Sequence, residues 1–262
     1  MIIDIKGAQN VRDLGGLIGY EGRKIKMGRI IRSSNLSLLE NDGYNTLNKY
    51  GLRVVVDFRS EAEIESAPDV QMDGVKYVKC PILKNLTVGI SRNGAKATID
   101  ELVIGVATEL GKNAKEWLKK LYIPLVTDEF SLNGYRCFFN ELIENKSGAL
   151  LFHCAAGKDR VGTGAALLLL ALGVCENDVI SDYMLTNKSV EKSTKNAINM
   201  AKKQGIDEDI ISVIPCVNGV DKSYIGQVIE IVNNCGGIEK FLNDKLGIDN
   251  KKLEILRSNY LE

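Results

Sequence analysis

The chain has 262 residues, with 34 Lys plus Arg against 34 Asp plus Glu, and 45% of its residues are hydrophobic. This is the composition of a globular protein, and it excludes a disordered or fibrous chain. A formal net charge of zero argues against broad attraction to nucleic acid or to an anionic membrane. The single His excludes a metal centre built from several His ligands, and we predict neither a metal nor another cofactor.

The sequence lacks the patterns of a membrane span and of a signal peptide. The longest apolar run, residues 165–172, is far shorter than the ~20 residues that cross a bilayer, so we expect no stable membrane insertion. The first ten residues show no basic segment followed by an apolar run, which predicts a cytoplasmic location.

Six cysteines are irregularly spaced and include no CxxC pair. We predict reduced thiols, five of them in the core: Cys80, Cys137, Cys175, Cys216 and Cys235. A second interpretation makes Cys80 a resolving thiol that protects Cys154 by a reversible disulfide.

In chain order, the glycines of residues 15–28 indicate turns and a hairpin leading to Ile30 and Ile31. Short β-branched or apolar runs predict strands at residues 53–58, from Val75 onward, and at residues 149–153. The stretch between the last two strands reads as helices, one over residues 99–121 and one capped by Ser131 that continues to Glu144.

After Arg160 the pattern is almost entirely helical. The helices are predicted at residues 162–172, from Asn177 or Asp178 to about 185, from Ser189, and at residues 223–234, 238–246 and 251–260. Strands linked by helices predict an α/β fold, with a central, mostly parallel sheet flanked by helices, in a single domain over residues 1–262. Ligands of such folds bind at the carboxyl ends of the strands.

The predicted strand at residues 149–153 leads into HCAAGKDR, residues 153–160, which we call the anion loop. Its backbone N–H groups at a helix N-terminus would bind a dianion such as phosphate, and Arg160 offers a planar fork of donors to two phosphate oxygens. The positive electrostatic field of these donors would also favour the thiolate of Cys154, the form that acts as a nucleophile. The predicted phosphate-binding residues are Ala155, Ala156, Gly157, Lys158, Asp159 and Arg160.

The anion loop resembles the signature loop of the cysteine-dependent protein tyrosine phosphatases. Its Lys-Asp pair is similar to the bacterial branch that includes secreted phosphatases of Mycobacterium tuberculosis and Listeria. Further similar segments are NVRDLGG at residues 10–16, RSSNL at 32–36, VDFRSEAE at 56–63 and LLALGV at 169–174. The resemblance implies the phosphatase fold with a helical lid at residues 84–130 and a helical C-terminal part. It also leaves secretion open.

The resemblance implies a two-step reaction in which Cys154 becomes a phosphocysteine and Arg160 holds the phosphoryl oxygens. For the general acid it favours Asp159, with Asp128 and Asp57 as alternatives. Lys158 resembles a residue linked to more highly phosphorylated substrates, including phosphoinositides.

Five further residues are assigned supporting roles. His153 would orient the loop and support the thiolate. The resemblance places Arg12 and Asp13 beside the active site, and Asp57 and Arg59 are interpreted as an ion pair behind it.

One position departs from the family pattern, because Val161 stands where Ser or Thr usually follows the Arg. We therefore expect slow breakdown of the phosphoenzyme. The predicted function is a tyrosine phosphatase-like hydrolase of phosphorylated proteins, with dual-specificity or phosphoinositide activity as an extension. Two alternatives remain: a dedicated phosphoinositide or inositol-phosphate phosphatase, and a weakly active phosphate-binding module.

Overall fold

The computed structural model describes residues 1–84 and 98–262. Five strands in these residues form one sheet. They are β1 (Arg12–Asp13), β2 (Ile30–Ser34), β3 (Leu52–Asp57), β4 (Lys76–Lys79) and β5 (Ala149–Cys154). The spatial order is β1-β2-β5-β3-β4, and only the β1–β2 pair is antiparallel. The predicted mostly parallel α/β sheet is therefore confirmed.

Helices cover both faces of this sheet and make up the C-terminal part of the chain. The first five are α1 (Asn41–Lys49), α2 (Glu61–Ser66), α3 (Ile99–Leu110), α4 (Ala114–Thr127) and α5 (Glu129–Glu144). The next five are α6 (Asp159–Ala171), α7 (Glu176–Met184), α8 (Thr186–Lys203), α9 (Glu208–Asn218) and α10 (Lys222–Asn234). The last two are α11 (Ile238–Phe241), which continues into a π-helical turn at Leu242–Leu246, and α12 (Asn250–Tyr260).

The strand register brings the chemistry-bearing residues to one edge of the sheet. Ser34 of β2 pairs with Cys154 of β5, and Asp57 of β3 pairs with His153. Because these strands are parallel, their carboxyl ends lie side by side, where α/β folds bind ligands.

The alternation of side chains along β5 divides the core in two. Leu150, Phe152 and Cys154 face the larger core under α6, whereas Ala149 and Leu151 face the smaller core on the other side of the sheet. Helix α6 is buried along nearly its whole length, which explains why its sequence is apolar on every side.

Several predicted helix boundaries are wrong for local reasons. The predicted helix at residues 99–121 is divided at Gly111, whose φ of +53° lies in the left-handed region. Ser131 does not cap α5, since the side chain of Asp128 accepts its backbone N–H at 3.1 Å and is the cap.

The predicted lid, residues 84–130, includes both core and surface. Residues 85–97 lie outside the described residues. Helix α4 packs into the larger core through Leu118, Tyr122 and Leu125, so this part of the segment belongs to the core of the fold.

The prediction for the cysteines is wrong at three positions. Cys80 and Cys137 form a disulfide, because Gly134 lets α5 approach the backbone that follows β4. Cys80 is therefore not a free resolving thiol for Cys154. Cys175 is exposed rather than in the core, because it immediately precedes α7 at the surface, and Cys216 and Cys235 are half-buried at the edge of the core.

Across residues 1–84 and 98–262, no helix combines the length and the apolar character that crossing a bilayer requires.

The disulfide predicts a redox-dependent stability. It closes a loop of 57 residues, so reduction should lower the free energy of unfolding by about 2–4 kcal/mol. Denaturant unfolding with and without dithiothreitol measures this change. The Cys80→Ser/Cys137→Ser double variant should be insensitive to the reductant. Equal stability of the wild-type protein under both conditions would contradict the linkage.

Candidate active site

The anion loop turns sharply between the end of β5 and the start of α6. Cys154 ends the strand with 2% of its surface exposed, and α6 begins at Asp159. Gly157 has φ +64°, and a Cβ atom there would lie 2.4 Å from the backbone oxygen of Ser33. Only glycine satisfies both constraints, so the loop can pack directly against the end of β2.

The carbonyl groups of the anion loop point outward to fixed donors. Ala155 O accepts hydrogen bonds from the Asn35 backbone N–H at 3.3 Å and from Asn35 Nδ2 at 2.9 Å. Gly157 O accepts from Asn10 Nδ2 at 2.7 Å and from Arg32 Nη2 at 3.0 Å. Within the described part of the chain, the N–H groups of Ala155, Ala156 and Gly157 donate no hydrogen bond. Amides arranged in this way at a helix N-terminus are suited to an anion.

Arg160 is held by a carboxylate that the sequence analysis missed. Its Nη1 and Nη2 donate to the two carboxylate oxygens of Glu63 at 2.7 and 2.8 Å. Its Nε is buried and has no partner among the described residues. Nη1 also donates to Phe58 O at 3.4 Å, so Glu63 and Phe58 fix the fork. Among the described residues, the Nε–H and the second N–H of Nη2 remain for a ligand.

Glu63 is positioned by the capping box of α2. The Ser60 backbone N–H donates to Glu63 Oε2 at 2.9 Å, and Ser60 Oγ accepts the Glu63 N–H at 3.4 Å. Burial would raise the pKa of Glu63, but the hydrogen bonds and charge of Arg160 and the hydrogen bonds of Ser60 together outweigh that effect and lower it. The Ser-x-x-Glu pattern predicts this cap, yet nothing in that pattern points to Arg160.

His153 belongs to a buried cluster with two carboxylates and an arginine. His153 Nε2 lies 2.9 Å from Asp69, and Arg59 Nη2 lies 2.7 Å from Asp57 and 3.0 Å from Asp69. Burial opposes a charge on His153, but Asp57 and Asp69 outweigh it and raise its pKa. The predicted Asp57–Arg59 pair thus lies directly behind the residue that precedes Cys154.

Asp57, Asp69 and His153 are also of the types and spacing that can ligate a metal ion. The guanidinium of Arg59 contacts both carboxylates and supplies the balancing positive charge. These side chains are therefore better described as an ion-pair cluster than as a metal centre.

A second buried cluster joins the N-terminal hairpin to α7. Asp182 accepts from Arg12 Nε at 3.0 Å and from Arg32 Nη1 at 2.9 Å. Burial would raise the pKa of Asp182, but the two arginines outweigh it and lower it. Burial, followed by repulsion from Arg12, lowers the pKa of Arg32 to about 10. Arg12 is therefore linked to the anion loop through Asp182 and Arg32, two residues that the sequence analysis did not select.

Asp13 has a different role from the predicted one. Its carboxylate accepts the backbone N–H groups of Gly15 at 2.8 Å and of Gly28 at 2.6 Å. These bonds close the N-terminal hairpin and do not reach the anion loop.

Lys158 and Asp159 lie at the start of α6 and form an ion pair, with Lys158 Nζ 3.8 Å from Asp159 Oδ2. Lys158 is buried, and its Nζ donates to the carbonyls of Val217 at 2.9 Å and Asn218 at 3.4 Å at the end of α9. Asp159 Oδ1 accepts a short hydrogen bond from the Tyr122 hydroxyl of α4.

The other two candidate acids have structural partners. Asp128 caps α5, and Asp57 pairs with Arg59. Of the three carboxyls considered, Asp159 is the one that lies in the anion loop.

Position 161 differs from the family pattern in a fully buried setting. Val161 packs in the larger core, and the Thr163 hydroxyl is also buried. The hydroxyl of Tyr135, from α5, donates to the backbone oxygen of Arg160 at 2.9 Å and fixes this first turn of α6.

A cavity of about 520 Å³ opens over the anion loop. Its lining includes Asn10, Asn35, Ala155, Ala156, Leu102 of α3 and Ser189 of α8. Substrate would therefore meet the loop between the sheet edge and two helices.

Comparisons with known proteins show the family to which the chain belongs. The sequence model of the tyrosine phosphatase family matches residues 3–262. A protein of Cupriavidus necator whose name assigns it to the tyrosine-protein phosphatases is 31% identical, over 96% of this chain and 85% of its own. The triple specificity protein phosphatase PtpB of Mycobacterium tuberculosis is 27% identical, over 71% of this chain and 70% of its own.

Among solved structures, Pseudomonas aeruginosa TpbA is 16% identical and has a TM-score of 0.29, covering 71% of this chain and 86% of that one. The family match spans nearly the whole sequence, and the relative from Cupriavidus necator aligns over the same extent. The chain therefore belongs to the tyrosine phosphatase family.

Proposed function

We propose that this phosphatase hydrolyses phosphate monoesters through a phosphocysteine at Cys154. The observation that carries the proposal is the convergence of unpaired donors on one loop. The amides of Ala155, Ala156 and Gly157 and the buried Nε of Arg160 have no partner among the described residues. Donors fixed in this way stabilise charge as it develops on the transferred phosphoryl group.

In the first step the Cys154 thiolate attacks phosphorus. The S–P bond forms as the bond between phosphorus and the leaving oxygen breaks, and protonated Asp159 gives its proton to that oxygen. The guanidinium group of Arg160 interacts electrostatically with Cys154 and holds the phosphoryl oxygens as they are transferred.

In the second step a water molecule attacks the phosphocysteine. The new O–P bond replaces the S–P bond, the Asp159 carboxylate takes the proton from water, and Cys154 leaves as a thiolate. Inorganic phosphate and the resting enzyme are the products, so the cycle needs no cofactor.

We infer that phosphotyrosine-type monoesters of proteins are the main substrates. The relatives named as tyrosine-protein phosphatases support this class, and the name of PtpB extends it to three specificities. Lys158 suggested phosphoinositides, but its ammonium group is buried against the end of α9. A lipid headgroup would need other basic side chains at the mouth of the cavity.

A substrate panel tests the proposal. Cys154→Ser should lower the release of phosphate from p-nitrophenyl phosphate and from a phosphotyrosine peptide by about 1,000-fold or more, because serine is not ionised there. Cys235→Ser, at a thiol on the edge of the core, is the matched control. Phosphatidylinositol phosphates in the same panel should be poorer substrates than the peptide.

Two results of that panel would count against the proposal. Steady release of phosphate by Cys154→Ser would show that the reaction does not pass through a phosphocysteine at Cys154. Binding of phosphotyrosine peptide by the wild-type protein without any release would instead favour the phosphate-binding module.

The Arg160–Glu63 pair predicts a catalytic cost when the Glu63 carboxylate is removed. Glu63→Gln keeps the shape but loses the charge that holds the guanidinium, so kcat/KM should fall about 10- to 100-fold. Glu141→Gln removes the carboxylate of the exposed Lys76 pair and should leave the rate unchanged. Wild-type kinetics for Glu63→Gln would contradict the assigned role of Glu63.

Val161 predicts slow breakdown of the phosphoenzyme. Rapid mixing with p-nitrophenyl phosphate should show a burst of nitrophenol in the wild-type protein. Val161→Thr should reduce the burst and raise the steady rate up to about 10-fold, since a hydroxyl there can donate to the departing thiolate. Val179→Thr, also at a buried valine, controls for the added hydroxyl. The prediction is wrong if the wild-type protein shows no burst and Val161→Thr leaves the steady rate unchanged.

A further inference from the structure

Two tyrosines form a hydrogen-bonded chain behind Asp159. The Tyr122 hydroxyl donates to Asp159 Oδ1, and the Tyr183 hydroxyl lies 2.5 Å from the Tyr122 hydroxyl. Asp159 is 6% exposed, and each tyrosine is 1% exposed. A carboxyl group in the anion loop is thus connected to two phenols inside the core.

The two phenols come from helices outside the anion loop and are held firmly. Tyr122 lies on α4 and Tyr183 on α7, and their rings pack edge to face with centroids 6.3 Å apart. Tyr224 of α10 packs against Tyr122 on another side at 5.6 Å. Rings packed in this way have little rotational freedom, so the direction of the Tyr122 hydroxyl is fixed.

Both phenols keep their protons. Burial, and then the charge of Asp159, raises the pKa of Tyr122 well above its ordinary value, and the same two causes act on Tyr183. Tyr122 gives its single proton to Asp159, so Tyr183 is the donor in the bond between the two hydroxyls. The chain therefore runs in one direction, from Tyr183 through Tyr122 to the carboxyl group.

We propose that Tyr122 and Tyr183 are positioning residues for proton transfer by Asp159. The inference rests on the proposed role of Asp159 as general acid. Because Oδ1 accepts from Tyr122, the transferable proton is carried on Oδ2, the oxygen that lies 3.8 Å from Lys158 Nζ. The hydrogen bond fixes which oxygen acts, and it keeps the carboxyl group from rotating between the two.

The two tyrosines also favour the transfer of the proton from Asp159 to the leaving oxygen. When the S–P bond forms and the P–O bond breaks, the proton moves from Asp159 Oδ2 to the leaving oxygen, and Asp159 becomes a carboxylate. A hydrogen bond from a phenol to a carboxylate is stronger than one to a neutral carboxyl group. Tyr122 thus stabilises the charge that develops on Asp159.

Substrates with different leaving groups separate this role from simple packing. A poor leaving group such as phenoxide needs the acid, whereas 2,4-dinitrophenoxide leaves without protonation. Tyr122→Phe should lower kcat/KM for phenyl phosphate about 10-fold and change that for 2,4-dinitrophenyl phosphate by less than about 2-fold. Tyr183→Phe should show the same selective loss at a smaller size.

A matched tyrosine controls for the loss of a buried hydroxyl. Tyr260 is equally buried, and its hydroxyl donates to Leu142 O at 3.0 Å, away from the anion loop. Tyr260→Phe should leave both rates at the wild-type level. Thermal unfolding of each variant checks that it is folded. If Tyr122→Phe does not fold, Tyr183→Phe still tests the inference.

Asp159→Asn separates failure of this inference from failure of the proposed function. If Asp159→Asn loses activity selectively on phenyl phosphate but Tyr122→Phe and Tyr183→Phe lose both activities equally or neither, the positioning role is wrong and the acid stands. If Asp159→Asn shows no leaving-group dependence, the assignment of the acid itself is wrong.

Discussion

The rest of the site depends on the fixed position of the Gly157 backbone. Its carbonyl is drawn outward by Asn10 and Arg32, and its missing side chain lets the loop close to within contact of β2. With the carbonyls directed away, the neighbouring amides converge above Cys154. The N-terminal hairpin, β2 and α7 are needed in place before the loop can take this form, which ties the catalytic edge to the whole fold.

Charge balance explains the arrangement of the layer beneath the loop. An unpaired buried charge is costly, so each cation has a nearby carboxylate: Asp182 for Arg12 and Arg32, and Glu63 for Arg160. Asp57 and Asp69 serve Arg59 and His153 in the same way. Two arginines share Asp182, so the cluster of Arg12, Arg32 and Asp182 carries a net positive charge beside the anion loop.

The sequence predicted what is local and missed what tertiary contact decides. Patterns of neighbouring residues predict the strands around residues 53–58 and 149–153, the anion loop, and the roles suggested by Gly157 and Arg160. The structure places these segments together at one edge of the sheet. Glu63 lies 97 residues from Arg160, and Asp182 lies 150 residues from Arg32, so no short pattern could reveal these pairs. The Cys80–Cys137 bond and the inward direction of Lys158 depend in the same way on packing between distant helices and strands.

We propose that the phosphoryl group is transferred to Cys154 by a loop whose donors are fixed before the substrate binds. Acid quenching of the wild-type protein during turnover of p-nitrophenyl phosphate, followed by peptide mapping by mass spectrometry, tests it most directly. We expect one phosphoryl group on the peptide that contains Cys154, at the thiol. A phosphoryl group on another residue, or continued turnover with none on the protein at any quench time, would contradict it.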